Sequence, residues 1–231
     1  MTGETAITTV LFDAGGTLVH LDYFFLHREL RQAGISLTRR AIRQAEYASR
    51  VEIDQRVRGQ VTDTDETRRQ PYFAALLDQL GVDAATAQRL IERFAAAHAQ
   101  ANLWRVMLPS TPRILRELHD RGLTLGVVSN ADGRIATILR QCGIEQFFQV
   151  VIDSHLVGVE KPDPRIFQLA LAQAQARPAQ AIFVGDIYAI DVLGAERAGI
   201  RPLLLDVLGC YAGVHCEKIR HLRELLTKIS D

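Results

Sequence analysis

The chain has 231 residues, enough for one large α/β domain or for a core domain carrying a smaller insertion. With 48% hydrophobic and 23% charged residues it has the composition of an ordinary globular protein, which excludes disorder and removes any need for disulfides or a structural metal to hold a core. Lys+Arg 27 balances Asp+Glu 27, so no overall field draws the chain to nucleic acid or to an anionic membrane, and an anionic ligand needs a local site.

The first predicted element is a strand over residues 8–12, a short apolar run ended by a turn signal and expected to be buried on both faces. About 110 residues then pass without a convincing strand, far more than one crossover helix requires, so something is inserted there. From Leu21 to Arg105 the sequence is rich in Ala, Arg, Gln and Leu and is broken by Gly34, Gly59, Pro71 and Gly81, which predicts a small bundle of four or five helices. Within it Phe73, Leu76, Leu77 and Leu80 share helical spacing and are read as bundle core rather than ligand-lining surface. A helix resumes near residue 110, with Ser110 or Thr111 as cap, Pro112 in the first turn, Ile114, Leu115 and Leu118 on one face, and Gly122 as terminator. Strands at Thr124–Ser129, Val150–Asp153, Ala181–Gly185 and Arg201–Leu205 then alternate with helices over residues 134–143, 164–176 and 190–199. That alternation predicts a parallel sheet with right-handed crossovers. The expected fold is α/β: a doubly wound, Rossmann-like core from residues 1–20 and 107–231, with a helical domain inserted at residues 21–106.

Cys142, Cys210 and Cys216 fit no disulfide framework and point to a reducing compartment, with a cytoplasmic location expected. Cys210, His215 and Cys216 fall short of the four regularly spaced ligands of a structural zinc site. Met1 to Thr9 lacks the basic-then-apolar pattern of a signal peptide, and no run approaches the ~18 apolar residues that span a bilayer, so neither export nor a membrane partner is expected.

In a doubly wound sheet ligands bind beyond the carboxyl ends of the strands, and those positions are polar here. Asp13-Ala14-Gly15-Gly16-Thr17-Leu18 follows the first strand and Ser129-Asn130 the second. Lys161-Pro162-Asp163-Pro164 precedes the helix after the third, and Gly185-Asp186 follows the fourth, with Asp191 five residues on. Taken singly, each piece has a structural explanation: a tight turn, an N-cap, or a helix start beside a solvated Lys. Taken together, Asp13, Asp186 and Asp191 would converge on one edge, where like charges are costly unless a cation or a proton relieves them. Hard oxygen ligands without His or Cys select Mg²⁺ over zinc.

These pieces, with Leu11-Phe12 before Asp13, Val128 before Ser129, and Arg165-Ile166-Phe167 after Pro164, resemble the haloacid dehalogenase-like hydrolase superfamily with a helical cap inserted after the first strand. The resemblance covers residues 7–205. It implies that Asp13 is a nucleophile and a Mg²⁺ ligand, and that Thr17, Ser129 and Asn130 bind the substrate. It further implies that Lys161 neutralises charge beside the nucleophile, that Asp186 completes the metal site, and that Asp191 supports it. The implied substrate is a small phosphorylated molecule, hydrolysed through an aspartyl-phosphate. A carboxylate and a phosphate dianion repel, so such chemistry needs both the metal and a cation like Lys161.

One position departs from the pattern. Phosphatases of this superfamily carry a second aspartate two residues after the nucleophile, which protonates the leaving alkoxide; this chain has Gly15. The metal ligand at that position is a backbone carbonyl, which Gly15 still offers, so metal binding is expected to survive while general acid catalysis, worth roughly 10²–10⁴ in rate, is lost. Three readings follow in order: a Mg²⁺-dependent phosphohydrolase for substrates with a good leaving group or with an acid borrowed elsewhere, Glu160 or a cap residue among the candidates; a weakly active or non-catalytic binding protein; and a 2-haloacid dehalogenase. The last is opposed by Phe167, where dehalogenases have Tyr, and by the retained Gly185-Asp186. Arg39, Arg40, Arg50, Arg56 and Arg58 are candidates for gripping an anionic substrate, although most are expected to be solvated surface.

Overall fold

A computed structural model describes residues 6–59 and 65–229. Most of the stretch read for a leader, Met1 to Thr9, lies outside the described residues. The chain forms two compact units, one from Met1–His20 and Val106–Asp231, the other from Leu21–Arg105.

In chain order, β1 (Thr9–Phe12) and β2 (Val19–Leu21) lead into the helices α1 (Tyr23–Gln32), α2 (Arg39–Gly59), α3 (Asp65–Gln79) and α4 (Ala84–Gln100). The chain continues through β3 (Trp104–Met107), α5 (Thr111–Asp120), β4 (Thr124–Ser129), α6 (Ile135–Gln141), β5 (Val150–Asp153), α7 (Ser154–Val157) and α8 (Pro164–Ala174). It ends in β6 (Ala181–Gly185), α9 (Leu193–Arg197), β7 (Arg201–Leu205), β8 (Lys218–Ile219) and α10 (Leu225–Lys228).

The larger unit is built on a six-stranded parallel sheet in the order β5-β4-β1-β6-β7-β8, the doubly wound arrangement expected from the strand runs. Its central strands are apolar on both faces because helices cover both, and every residue of β1 and β6 is buried. On one face Leu11, Val128 and Phe183 pack against Ile166 and Phe167 of α8 and Ala195 of α9. The Phe167 and Phe183 rings meet edge to face at 4.9 Å. Each such side chain contributes roughly 1.5–3 kcal/mol by leaving water. Phe12 pairs with Val127 on one side and Val184 on the other, so Asp13, Val128 and Gly185 lie level at the carboxyl edge. Register alone therefore gathers the polar strand ends.

The smaller unit is helical, with Leu26, Leu30, Ile42, Phe73, Leu76, Leu77, Leu90 and Phe94 in one apolar cluster and Leu80 packed against it. Pro71 does not break the bundle as expected; it sits inside α3. Proline removes one backbone donor and crowds one preceding carbonyl, and the helix runs on through residues whose burial outweighs that loss. The expected absence of strands between the first and second core strands is also corrected: β2 and β3 pair as a two-stranded sheet. In α5 the Ser110 side chain makes no capping bond and Thr111 is already helical, so neither hydroxyl caps the helix. Among the described residues no helix is long and apolar enough to cross a membrane.

Candidate active site

Asp13 stands one residue past β1, and its N–H continues the parallel ladder by donating to the Val184 carbonyl at 2.8 Å. The chain then turns back on itself. The N–H groups of Leu18 and Val19 both donate to the Ala14 carbonyl at 2.9 Å, and Gly16 adopts φ +90°, a conformation L side chains resist. Gly15 is not among the positive-φ glycines, and it makes an isolated bridge with Val19. The turn leaves two buried oxygens without a hydrogen-bond partner among the described residues, Asp13 Oδ2 and Thr17 Oγ1. Such atoms are costly unless something else satisfies them.

The other oxygen of Asp13 is held. Lys161 Nζ donates to Asp13 Oδ1 at 2.6 Å and to Asp191 Oδ1 at 2.7 Å, and it lies 5.3 Å from the centre of the Phe183 ring. Lys161 is buried. The helix-start reading of Lys161-Pro162-Asp163-Pro164 holds for Asp163, which caps α8 through the Arg165 N–H at 2.9 Å, but the solvated lysine of that reading does not. Asp186 follows β6. Residues Tyr188–Val192 form one π-helical turn, which carries the Asp191 side chain back to accept the N–H groups of Asp186 and Ile187, both at 2.9 Å. Asp13, Asp186 and Asp191 each present a carboxylate oxygen within 4.8 Å of the others, and all three are buried. The convergence inferred from strand ends is thus present.

Three carboxylates face one ammonium. Burial pushes the Asp13 carboxyl up to about 6; Lys161 opposes that rise and Asp191 adds to it. Burial works against the Lys161 ammonium, but the attraction of Asp13 and Asp191 wins and holds its pKa above the ordinary lysine value. A divalent cation fits this donor set: oxygen ligands only, one buried Asp13 oxygen without a partner, and excess negative charge. Asp191 is less able than Asp13 to serve it directly, because both its oxygens already accept hydrogen bonds.

Ser129 ends β4 and is buried, its hydroxyl 3.5 Å from the Asn130 carbonyl. The Asn130 side chain is bonded at both ends to the main chain of Lys161. Sequence reasoning passed over Asp153 and Ser154, which fix the loop after β4. Asp153 accepts from the N–H groups of Gly133, Ile135 and His155, and Ser154 Oγ bonds Ala131. Asp153 closes a strand run like those that flagged Asp13 and Asp186, so the same signal was there to read.

Four of the five cap arginines find local partners. Arg39 lies over the Phe24 ring at 4.1 Å, Arg56 and Arg58 pair with Glu52 and Asp54, and Arg50 is buried against Glu46, so Arg50 is not solvated surface. Cys210, His215 and Cys216 do not group as metal ligands; among the described residues the cluster able to hold an ion is Asp13, Asp186 and Asp191.

A doubly wound sheet carrying an aspartate, a lysine and an acidic pair at its carboxyl edge defines a hydrolase of the haloacid dehalogenase-like class. The chain belongs to that family: the haloacid dehalogenase-like hydrolase model matches residues 7–199. It is 38% identical over 128 residues to haloacid dehalogenase-like hydrolase domain-containing protein 3 of Bos taurus, covering 55% of this chain and 51% of that protein. It is 38% identical over 103 residues to the glyceraldehyde 3-phosphate phosphatase of Methanothermobacter thermautotrophicus, covering 42% and 44% respectively. The chain thus spans about half the length of the curated relatives it matches. A 2-haloacid dehalogenase from Pseudomonas syringae pv. tomato shares the fold with a TM-score of 0.57 at 21% identity, over 97% of this chain and 98% of that one.

Proposed function

We propose that the chain is a Mg²⁺-dependent phosphohydrolase that uses Asp13 as its nucleophile and acts on small phosphorylated molecules. The observation that carries this reading is the division of labour on Asp13: Oδ1 is pinned by Lys161 while Oδ2 is buried with no partner among the described residues. Lys161 holds the carboxylate in one orientation and places a fixed positive charge beside the attacking group. Thr17 Oγ1, also buried without a partner, is a donor for a phosphoryl oxygen, and Ser129 is a second. Asp13, Asp186 and the Gly15 carbonyl would hold the metal, with Asp191 supporting them from behind. When bound, Mg²⁺ offsets the phosphoryl charge that would otherwise repel a carboxylate.

Asp13 attacks phosphorus, and the bond to the leaving group breaks with its electron pair. Water then attacks the aspartyl-phosphate, Asp13 leaves as carboxylate, and the water proton passes to a phosphate oxygen. Gly15 has no proton to give, and Lys161 is locked between two carboxylates. The chemistry therefore favours leaving groups that depart unprotonated, such as acyl phosphates. Similarity to a phosphatase by sequence supports phosphoryl over halide chemistry, and fold similarity to a dehalogenase does not distinguish them.

The test is a titration followed by a screen. Mg²⁺ is expected to raise the melting temperature of the wild type and not that of Asp186→Asn. Acyl and aryl phosphates are expected to be hydrolysed by the wild type and not by Asp13→Asn. Equal Mg²⁺ responses in wild type and Asp186→Asn remove the reading. Gly15 favours a second reading, a binding protein on the same site; retained Mg²⁺ binding without turnover of any activated phosphate would establish that one instead.

A further inference from the structure

We infer that Asn130 is a positioning residue that sets the main chain of Lys161, and that the substrate contact expected of it belongs to other groups. The amide makes a two-point clamp: Nδ2 donates to the Lys161 carbonyl at 2.9 Å, and Oδ1 accepts the Lys161 N–H at 2.8 Å. A side chain at the end of β4 thus replaces a rung of backbone pairing for a residue 31 positions later. The acceptor oxygen and one of the two donors of the amide are spent on residue 161, so the orientation of the amide is fixed by that lysine's main chain.

The clamp has a firm base. Ser154 Oγ accepts the Ala131 N–H at 3.1 Å and donates to the Ala131 carbonyl at 3.3 Å. Asp153, nearly fully buried, takes the N–H groups of Gly133 at 3.1 Å and Ile135 at 3.3 Å. The loop carrying Asn130 is therefore tied to the end of β5. On the far side of Lys161, a Cβ on Gly194 would come within 3.1 Å of Pro162 Cα and 2.7 Å of the Phe167 ring, so the residue after the lysine has little room to drift.

Lysine has four side-chain torsions, yet here one buried ammonium meets two carboxylates at 2.6 and 2.7 Å. Holding the main chain of residue 161 removes part of the freedom those torsions would otherwise give the ammonium. Releasing the main chain of residue 161 lets the charge move relative to Asp13, and displacements near 1 Å can cost ~10²-fold in rate.

Two double-mutant cycles test the inference, with Asn130→Ala or the milder Asn130→Ser crossed with Lys161→Met. The first uses thermal melts of the metal-free protein and needs no turnover. The side-chain hydrogen bonds of Asn130 go to the backbone of residue 161, and Lys161→Met changes only the side chain there. If Asn130 aims that side chain, the melting shift caused by Lys161→Met falls to about half or less in the Asn130 variant. Additive shifts in both pairs overturn the inference. The second cycle is kinetic and rests on the phosphohydrolase reading. Asn130→Ala is expected to lower kcat roughly 10- to 100-fold with KM held within about twofold, and to cost nothing further once Lys161 is Met. A raised KM, with losses that add to those of Lys161→Met, would make Asn130 a substrate contact and overturn the inference. Absence of any phosphohydrolase activity in the wild type would count against the functional reading alone, since the stability cycle still decides the role of Asn130.

Discussion

Replacing Asp13 by Asn is expected to stabilise the metal-free protein at neutral pH while abolishing hydrolysis. Burial raises the Asp13 carboxyl to about 6, against an ordinary value of 3.8. The gap of about two pH units, at about 1.36 kcal/mol each, is ~3 kcal/mol. The sign follows from linkage: a group whose pKa rises on folding favours the native state fully below its unfolded value and loses that contribution as pH climbs through the folded one. The wild type therefore loses stability between pH about 4 and pH about 6, and the whole cost stands at pH 8. The Asp13→Asn variant carries no such charge, and Lys161 keeps its bond to Asp191 Oδ1. The shift is already net of the attraction and the hydrogen bond of Lys161, and burying the Asn amide in place of the carboxyl recovers part of the gain for the wild type. The net expectation is ~1–2 kcal/mol, a rise of roughly 2–6 °C for a chain of this size. Thermal melts in chelator at pH 4.5, 6 and 8 measure it. The difference between variant and wild type should widen with pH and, on the proposed metal-dependent reading, shrink when Mg²⁺ is added, since a ligand of the native state stabilises it. A variant that melts at or below the wild type at pH 8, or a difference indifferent to pH, would refute the reasoning.

Gly15→Asp should restore a proton donor beside the nucleophile, raising kcat/KM for alkyl phosphates by ~10²-fold or more and leaving activated aryl phosphates within about fivefold; equal gains on both would show that leaving-group protonation is not what this site lacks. Gly185→Ala would place a Cβ 2.3–2.5 Å from atoms of the Asp191 side chain, so a destabilisation of ~1–3 kcal/mol and loss of the Mg²⁺-induced melting shift are expected in the same thermal assay. In the helical unit, buried Glu46 accepts from Arg50 at 2.7 and 2.9 Å, from Tyr23 at 3.0 Å and from Tyr72. Glu46→Ala removes the carboxylate from a buried guanidinium and should cost ~3–5 kcal/mol, and Glu46→Gln, which keeps an acceptor, clearly less. Urea titration followed by fluorescence of Trp104, whose ring is 5.4 Å from that of Tyr72, reports on this unit; equal midpoints for the two variants would deny the ion pair that role.

The five long core strands were legible because each is an apolar or β-branched run of four to six residues with a polar residue at its end. β2, β3 and β8 were not: β2 and β8 are three and two residues long, and β3 carries Arg105 and is only partly buried, so none forms a continuous apolar run, and their pairing depends on distant partners. The aspartates of the site could be read because the parallel register brings strand ends level. The state of Lys161 could not: a lysine in a Pro-rich turn has the same sequence signature whether solvated or buried, and its burial is set by Asp13 and Asp191, 148 and 30 positions away. The burial of Arg50 is hidden in the sequence for a related reason. Charge predicts exposure on average, and only a carboxylate one turn earlier, with tyrosines from α1 and α3 behind it, makes its burial tolerable.

The Gly185-Asp186 pair acquires its meaning from Asp191. A carboxylate at the start of an ordinary α-helix caps forward, toward the next turn. The π-turn at Tyr188–Val192 instead brings Asp191 backward, over the end of β6, where Oδ2 accepts two N–H groups and Oδ1 meets Lys161. The space it enters is the one a side chain at position 185 would fill, which is why the strand ends in glycine. Asp191 thereby sets two opposing quantities at once: it helps keep the Lys161 ammonium charged, and it raises the cost of ionising Asp13. Lys161 answers Asp191 and one oxygen of Asp13, and the other, Oδ2, is buried with no partner among the described residues.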